Sequence, residues 1–208
     1  MITIGFYICK TSVSPTFIGD ISDCFVSASD CLADHEPQLM LCHGWKPHGD
    51  DKAYIKHFAS NNDYIKMSAE INKLFEDNLF DRDGRFLRKD DALYFFNEYF
   101  NDAEHMIISI SSEAVYLPYL EGITILEEQS AGNVLLGNDI LGWDHIGTFH
   151  SFLCNSLQDE FPDIRFNRYG LIAADFEVVA KMTEKIQGRG EPVDWLPVAV
   201  HSLRQSEE

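Results

Sequence analysis

The stretch "LLGNDILGWDHIGTFHSFLCNSLQDEF", from Leu135 to Phe161, decides how this chain is read. An apolar run with glycines at 137 and 142 reads as a strand. It breaks at "GWD", and "TFHSFLCNSLQDEF" then has the spacing of a helix, with Phe149, Phe152, Leu153 and Leu157 as its buried stripe and Thr148 as its cap. "PDIRFNRYGLIAA" turns back, with Asn167 to Gly170 as a tight connection and a return strand around Leu171. Strand, helix and return strand in this order point to an α+β unit.

Working outward, "DFEVVAKMTEKIQGRG" is the clearest helix. Asp175 sits at its cap, Phe176, Val179, Met182 and Ile186 face inward, and Gly188 stops it. "WLPVAVHSL" follows as a strand, expected at a sheet edge because Pro197 lacks the N–H of a central ladder. Upstream, "HMIISIS" reads as a short buried strand, and "EAVYLPYL" as a turn of helix broken before Pro118. "GITILEE" and "NVLLGNDILGW" read as two strands around the turn "QSAGN".

The first residues alternate, which places Ile2, Ile4, Phe6 and Ile8 on one strand face and Thr3, Gly5, Tyr7 and Cys9 on the other. "DCFVSAS" and "PQLMLCHGW" are further short strands, the latter leading into the loop "KPHGDD". "NDYIKMSAEINKLFEDNLF" has apolar residues at helical spacing, with Asn62 or Asp63 as cap. "DALYFFNEYF" presents Leu93, Phe96 and Phe100 on one face, with Asp90 or Asp91 near its start. The expected architecture is α+β, a mixed or mostly antiparallel sheet with several packed helices. It forms one domain over 1–208, or two intimately packed halves meeting near 101–106.

Composition bounds the function. At 208 residues, with 45% apolar side chains and 15 phenylalanines, the chain can bury a large, ring-rich core. Its formal charge of −18 lies on both sides of Glu104 rather than in a tail. Such a field repels nucleic acid and anionic membranes and draws in basic partners. The five cysteines are odd in number and show no CxxC spacing, as expected of free thiols in a reducing cytoplasm. No signal peptide and no run long enough to span a bilayer is legible, so the expected setting is soluble and cytoplasmic.

Candidate chemistry is thin. His150 and Cys154, four apart on the expected helix, would share a face and could form a thiolate–imidazole pair, although cysteine at an apolar stripe is more often packing. Cys42, His43, His48 and His57 offer ligand types for zinc without a recognised spacing, and "WDHIGTFH" adds a weakly phased His–carboxylate set. No Walker loop, dinucleotide fingerprint or nucleophile elbow is present. The basic residues Arg82, Arg85, Arg88 and Lys89 alternate with acids and read as a solvated loop. Glu127–Glu128 are adjacent, so their side chains diverge and make no shared-proton dyad. Recognition remains: Trp143 as an aromatic anchor beside Asp139, Asp144 and His145, with Glu127 and Glu128 as further acids. The alternative for Trp143 is a core lid over the helix.

The pieces Gly137–Asp139, Gly142–Trp143, "FHSFLCNSL" and Asn167 to Leu171 give the segment from Leu135 to Ile172 a further meaning. This segment resembles one found in small cytoplasmic immunity proteins of bacterial polymorphic-toxin and contact-dependent growth inhibition systems. The resemblance implies a non-enzymatic protein, without cofactor or metal, that binds a cognate toxin domain. Many such toxins are basic nucleases, and an acidic inhibitor would occlude the surface that holds phosphates. It assigns no catalytic residue, and the acidic charge adds the expectation of no direct contact with nucleic acid or membrane. The contrasting reading is a small hydrolase or metal-dependent enzyme using Cys154 and His150 or the cluster from Cys42 to His57.

Overall fold

The computed structural model describes residues 1–10, 61–80, 85–101, 105–120, 124–125, 134–143, 149–151, 157–169, 171–190 and 193–203. They form an α+β fold. Strand β1 (Ile2–Lys10) leads the described chain. Helices α1 (Asn61–Glu76) and α2 (Lys89–Tyr99) precede β2 (His105–Ser112). A 3-10 turn (Ala114–Leu120) is followed by β3 (Val134–Trp143) and the three-residue β4 (Phe149–Ser151). A second 3-10 turn (Leu157–Glu160) comes before α3 (Phe176–Ile186) and β5 (Asp194–Ser202). The sheet runs β1-β2-β5-β3-β4, and every adjacent pair is antiparallel.

The alternation in β1 holds only after its third residue. Thr3 pairs with Ser111 but Gly5 pairs with Ile110, so the strand carries a bulge at Ile4. An extra residue reverses the phase of everything before it. Ile4 therefore joins the same cluster as Tyr7, while Phe6 and Ile8 face the other one. The bulge also makes room for Arg85, whose aliphatic stem would collide with any Cβ at position 5. Its guanidinium donates from Nη1 to the carbonyls of Ile4 (3.0 Å) and Thr124 (3.2 Å). Arg85 is thus a buried clamp, not the solvated loop residue its charged neighbours suggest.

Two apolar clusters result. One gathers Phe6, Ile8 and Ile107 of the sheet with Met67 and Ile71 of α1, Phe95 and Phe96 of α2, and the rings of Phe80 and Phe86. Phe86 also pairs its backbone with Phe6, N–H to O at 2.9 Å and 3.0 Å in the two directions, covering part of the outer edge of β1. The second cluster spans β2, β5 and β3 and includes Trp195, Trp143, Val179 and Ile186. Neighbouring residues of β2 serve different clusters: Ile107 the first, Ile108 the second.

Three local expectations are corrected. β5 lies at the centre of the sheet, with β2 and β3 on either side. The carbonyl of Pro197 accepts the Ser112 hydroxyl at 2.6 Å, so the side of Pro197 that lacks an N–H faces β2. The β2–β5 ladder stops at Ser111–Ala199, just short of that position, and a buried serine replaces the missing rung. Second, Phe149–Ser151 is a strand paired with Leu141–Trp143, not the first turn of a helix from Thr148. The phenylalanine spacing fits a helix, but antiparallel return against the end of β3 satisfies that edge first. Third, a 3-10 helix runs through Pro118 rather than breaking before it.

Helix α1 already includes Asn61 to Asp63, so neither Asn62 nor Asp63 is its cap. α2 begins after Arg88 with Asp90 and Asp91 in its first turn; Phe96 and Phe100 are buried as expected, Leu93 packs partly buried against the same cluster, and Ala92 and Phe95 are buried beside them. α3 follows the expected pattern, with Val179 and Ile186 fully buried and Gly188 at φ +75° after its end. No helix among the described residues is long and apolar enough to cross a membrane. "DCFVSAS", "PQLMLCHGW" and "KPHGDD" lie outside the described residues, as does most of "GITILEE".

Candidate functional site

The site is assembled around an asparagine in a strand. Asparagine is depleted in strand interiors because its amide competes with the ladder. Asn138 nevertheless sits inside β3, opposite Ala199 of β5. Just before it the register slips: Leu135 pairs with His201 but Gly137 with Val200, leaving Leu136 as a bulge. The absence of a Cβ at Gly137 admits a close neighbour, since one there would stand 2.7 Å from both Asn167 Nδ2 and Leu171 Cβ.

Asn167 holds the turn beside this bulge. Its Oδ1 accepts the N–H of Tyr169 (2.9 Å) and of Leu171 (3.2 Å), and its Nδ2 donates to the Leu136 carbonyl at 2.6 Å. Ile172 then pairs with Asn138 through the backbone, donating its N–H at 2.8 Å. The Asn138 side chain donates from Nδ2 to the Ala174 carbonyl at 2.7 Å, fixing the chain just before α3. The return around Leu171 and Ile172 is therefore two isolated bridges rather than a full strand.

These segments enclose a cleft of about 410 Å³. Its lining includes Leu135, Asn138, Asn167, Asp175, Phe176 and His201, together with Met1 and Ala199. Met1 and Leu135 are large apolar side chains left exposed. Asp175 is exposed too, and its carboxylate makes no hydrogen bond to the helix it precedes.

Two buried side-chain atoms among the described residues have no hydrogen-bond partner, Asn138 Oδ1 and His201 Nδ1, and both residues line this cleft. His201 stands two residues beyond Ala199, so it shares the sheet face of Asn138. Burial lowers the His201 pKa, which keeps the imidazole neutral. A neutral ring protonated on Nε2 presents Nδ1 as an acceptor. An unmet buried acceptor costs about 1–3 kcal/mol, so two beside one cleft are a feature to explain rather than noise. The lining offers hydrogen-bond acceptors and apolar surface, without a serine, cysteine or lysine side chain.

The residues singled out in the sequence fall elsewhere. Asp139 and Trp143 belong to β3, not to a loop, and only 2% and 3% of their surfaces are exposed. Asp139 accepts the N–H of Ile140 at 2.8 Å, and desolvation pushes its pKa up to about 8. Trp143 pairs with Phe149 and Asp194 and lies in the second apolar cluster, in keeping with a core role. Asp144, His145, Glu127 and Glu128 lie outside the described residues, as do Cys42, His43, His48, His57, Arg82 and Cys154. His150 lies in β4, so the helical spacing that would have set it over Cys154 does not arise.

The described residues contain no group of three or more His, Cys, Asp or Glu able to hold a metal. Sequence reasoning passed over Asn138 and His201 as site residues. The available signal was the polar Asn138 inside an otherwise apolar strand. No protein-family model, curated protein or solved structure matches this chain.

Proposed function

We propose that this chain is a non-enzymatic binding protein for a basic protein partner, specifically a cytoplasmic immunity protein that neutralises a cognate bacterial toxin, a basic nuclease, by occluding its active site. The observation that carries this reading is the charge of −18 on a folded α+β chain, with acids such as Asp159, Glu160, Asp163, Glu177 and Glu184 held on its exposed surface. A field of this sign speeds the approach of a basic partner and excludes nucleic acid as a competitor. The resemblance of Leu135 to Ile172 to immunity proteins supplies the class of partner.

Co-expression with the C-terminal region encoded by the adjacent open reading frame tests the reading. The expected result is a one-to-one complex, restored growth of cells making the toxin, and association that slows as salt rises. Failure to form a complex, with growth unprotected, would sink it.

The second reading, a hydrolase or zinc enzyme, draws on Cys154 and on Cys42 to His57. Stoichiometric zinc or a single fast-reacting thiol at neutral pH in the purified chain would favour it.

A further inference from the structure

We infer that the cleft between the β3 bulge, the end of β5 and the start of α3 receives an arginine side chain presented by the basic partner, an inference that rests on the function proposed above. Its lining asks for hydrogen-bond donors. Asn138 Oδ1 is an acceptor without a partner, and His201 Nδ1, equally unpartnered, is a second in the tautomer protonated on Nε2. Asn138 cannot reverse its amide, because its Nδ2 already donates to the Ala174 carbonyl. Asp175 adds a carboxylate that its own helix does not use. A guanidinium carries five N–H donors in one plane and no acceptor, so it can meet separated acceptors at once; an ammonium on a flexible stem does this less well.

The apolar part of the lining suits the rest of the side chain. Met1 and Leu135 are exposed and can close over the methylene stem of an arginine, as long basic side chains lie along apolar surface with the charge at the tip. The two atoms are shut off from water in the free chain, so the lining must open for the guanidinium to reach them. The N-terminus of α3 favours an anion instead. That contribution comes from one helix end, with Asp175 beside it. Two unmet buried acceptors outweigh it.

The test uses the chain alone, so its outcome is separate from whether the toxin complex forms. N-acetyl-arginine amide, N-acetyl-leucine amide and N-acetyl-glutamate amide would be titrated in turn into 15N-labelled protein, following the Asn138 side-chain amide and the His201 ring nitrogens. The arginine probe is expected to give saturable shifts with millimolar affinity and to lower the His201 pKa further, since a nearby cation opposes protonation. Asp175→Asn should weaken that probe several-fold with an unchanged fold. His201→Phe should abolish the shifts at Asn138. Equal response to the leucine probe would reduce the site to an apolar hollow, and preference for the glutamate probe would make it an anion site. Either result, or no saturable shift with any probe, overturns the proposal. If the arginine probe binds but no toxin complex forms, the cleft stands and the partner class falls.

Discussion

The two ends of the sheet treat buried polar groups in opposite ways. At the β1 end, the buried guanidinium of Arg85 is tied to the carbonyls of Ile4 and Thr124, and a cluster of rings packs around Phe6 and Ile8. Phe80 and Phe86 meet edge to face at 4.8 Å, and Phe95 stands 5.4 Å from Phe86. Outside, Lys66 bonds Glu98 at 2.6 Å, and Tyr99 donates to Glu70 at 3.0 Å, linking α1 to α2. At the β3–β5 end, Asn138, Asp139 and His201 are gathered within a few residues of one another on paired strands; Asn138 and His201 each leave an atom unpartnered, and Asp139 is a desolvated carboxyl. One end resembles an ordinary core. The other tolerates unmet polar groups, and such departures from local consistency concentrate where a protein binds something.

Removing a ring should therefore do the most damage. Phe86→Ala deletes a side chain that is fully buried among Phe80, Phe95 and Phe6, next to a backbone bridge that closes the edge of β1. A loss of about 3–5 kcal/mol is expected from urea denaturation at constant slope. A loss below about 1 kcal/mol would mean that this end is loosely packed, and the contrast would fail.

The second prediction concerns Asp139, and its sign is the reverse. The folded chain holds its proton with a pKa of about 8, against an ordinary value of 3.8. A carboxyl whose pKa is raised by folding supports the fold fully below its unfolded pKa. That support is lost as pH rises through the folded value, so stability should fall from about pH 4 to pH 8. Asp139→Asn keeps the acceptor for the Ile140 N–H without the charge. The variant should be more stable by several kcal/mol at pH 9, little changed at pH 4, and flatter in between. Equal pH slopes for the two proteins would place Asp139 in a wetter setting than its burial implies.

Much of the β3–β5 end was legible in the sequence as elements but not as a site. β3, the turn at Asn167 and helix α3 are set by local patterns: an apolar run with glycines, an asparagine that bonds its own turn, and helical apolar spacing ended by a glycine. The cleft depends on register, since a one-residue slip at Leu136 decides what Asn138 faces, and no local pattern encodes a slip between strands some sixty residues apart in the chain. The same limit explains β1, where the bulge at Ile4 undid a simple alternation. It explains β5 as well: Pro197 was a sound edge signal, overridden by a side chain from another strand. The brief β4 went unread because phenylalanine spacing alone does not separate a helix turn from a short strand.

The bulge itself can be pressed. Gly137→Ala would set a methyl against Asn167 and Leu171, where 2.7 Å leaves no room. Moving the turn would also strain the Asn167 bond to the Leu136 carbonyl. A cost of about 2 kcal/mol is expected, with broadened NMR signals for the turn from Asn167 to Leu171 and for the lining of the cleft, while signals from α1 and α2 stay put. If the disturbance instead spreads evenly, the two ends are one cooperative unit.

The smallest effect tests how the sheet accommodates its proline. Ser112 is fully buried, and its hydroxyl bonds the Pro197 carbonyl at 2.6 Å where the β2–β5 ladder has stopped. Ser112→Ala removes the donor and leaves that carbonyl without this partner, costing about 1 kcal/mol. Pro197→Ala alone supplies an N–H facing β2, which the ladder could use by extending one rung. The two changes share a partner and should not add: the double variant should lose less than Ser112→Ala by itself. Simple additivity would mean that the serine merely fills space, and that β5 tolerates its central proline for another reason.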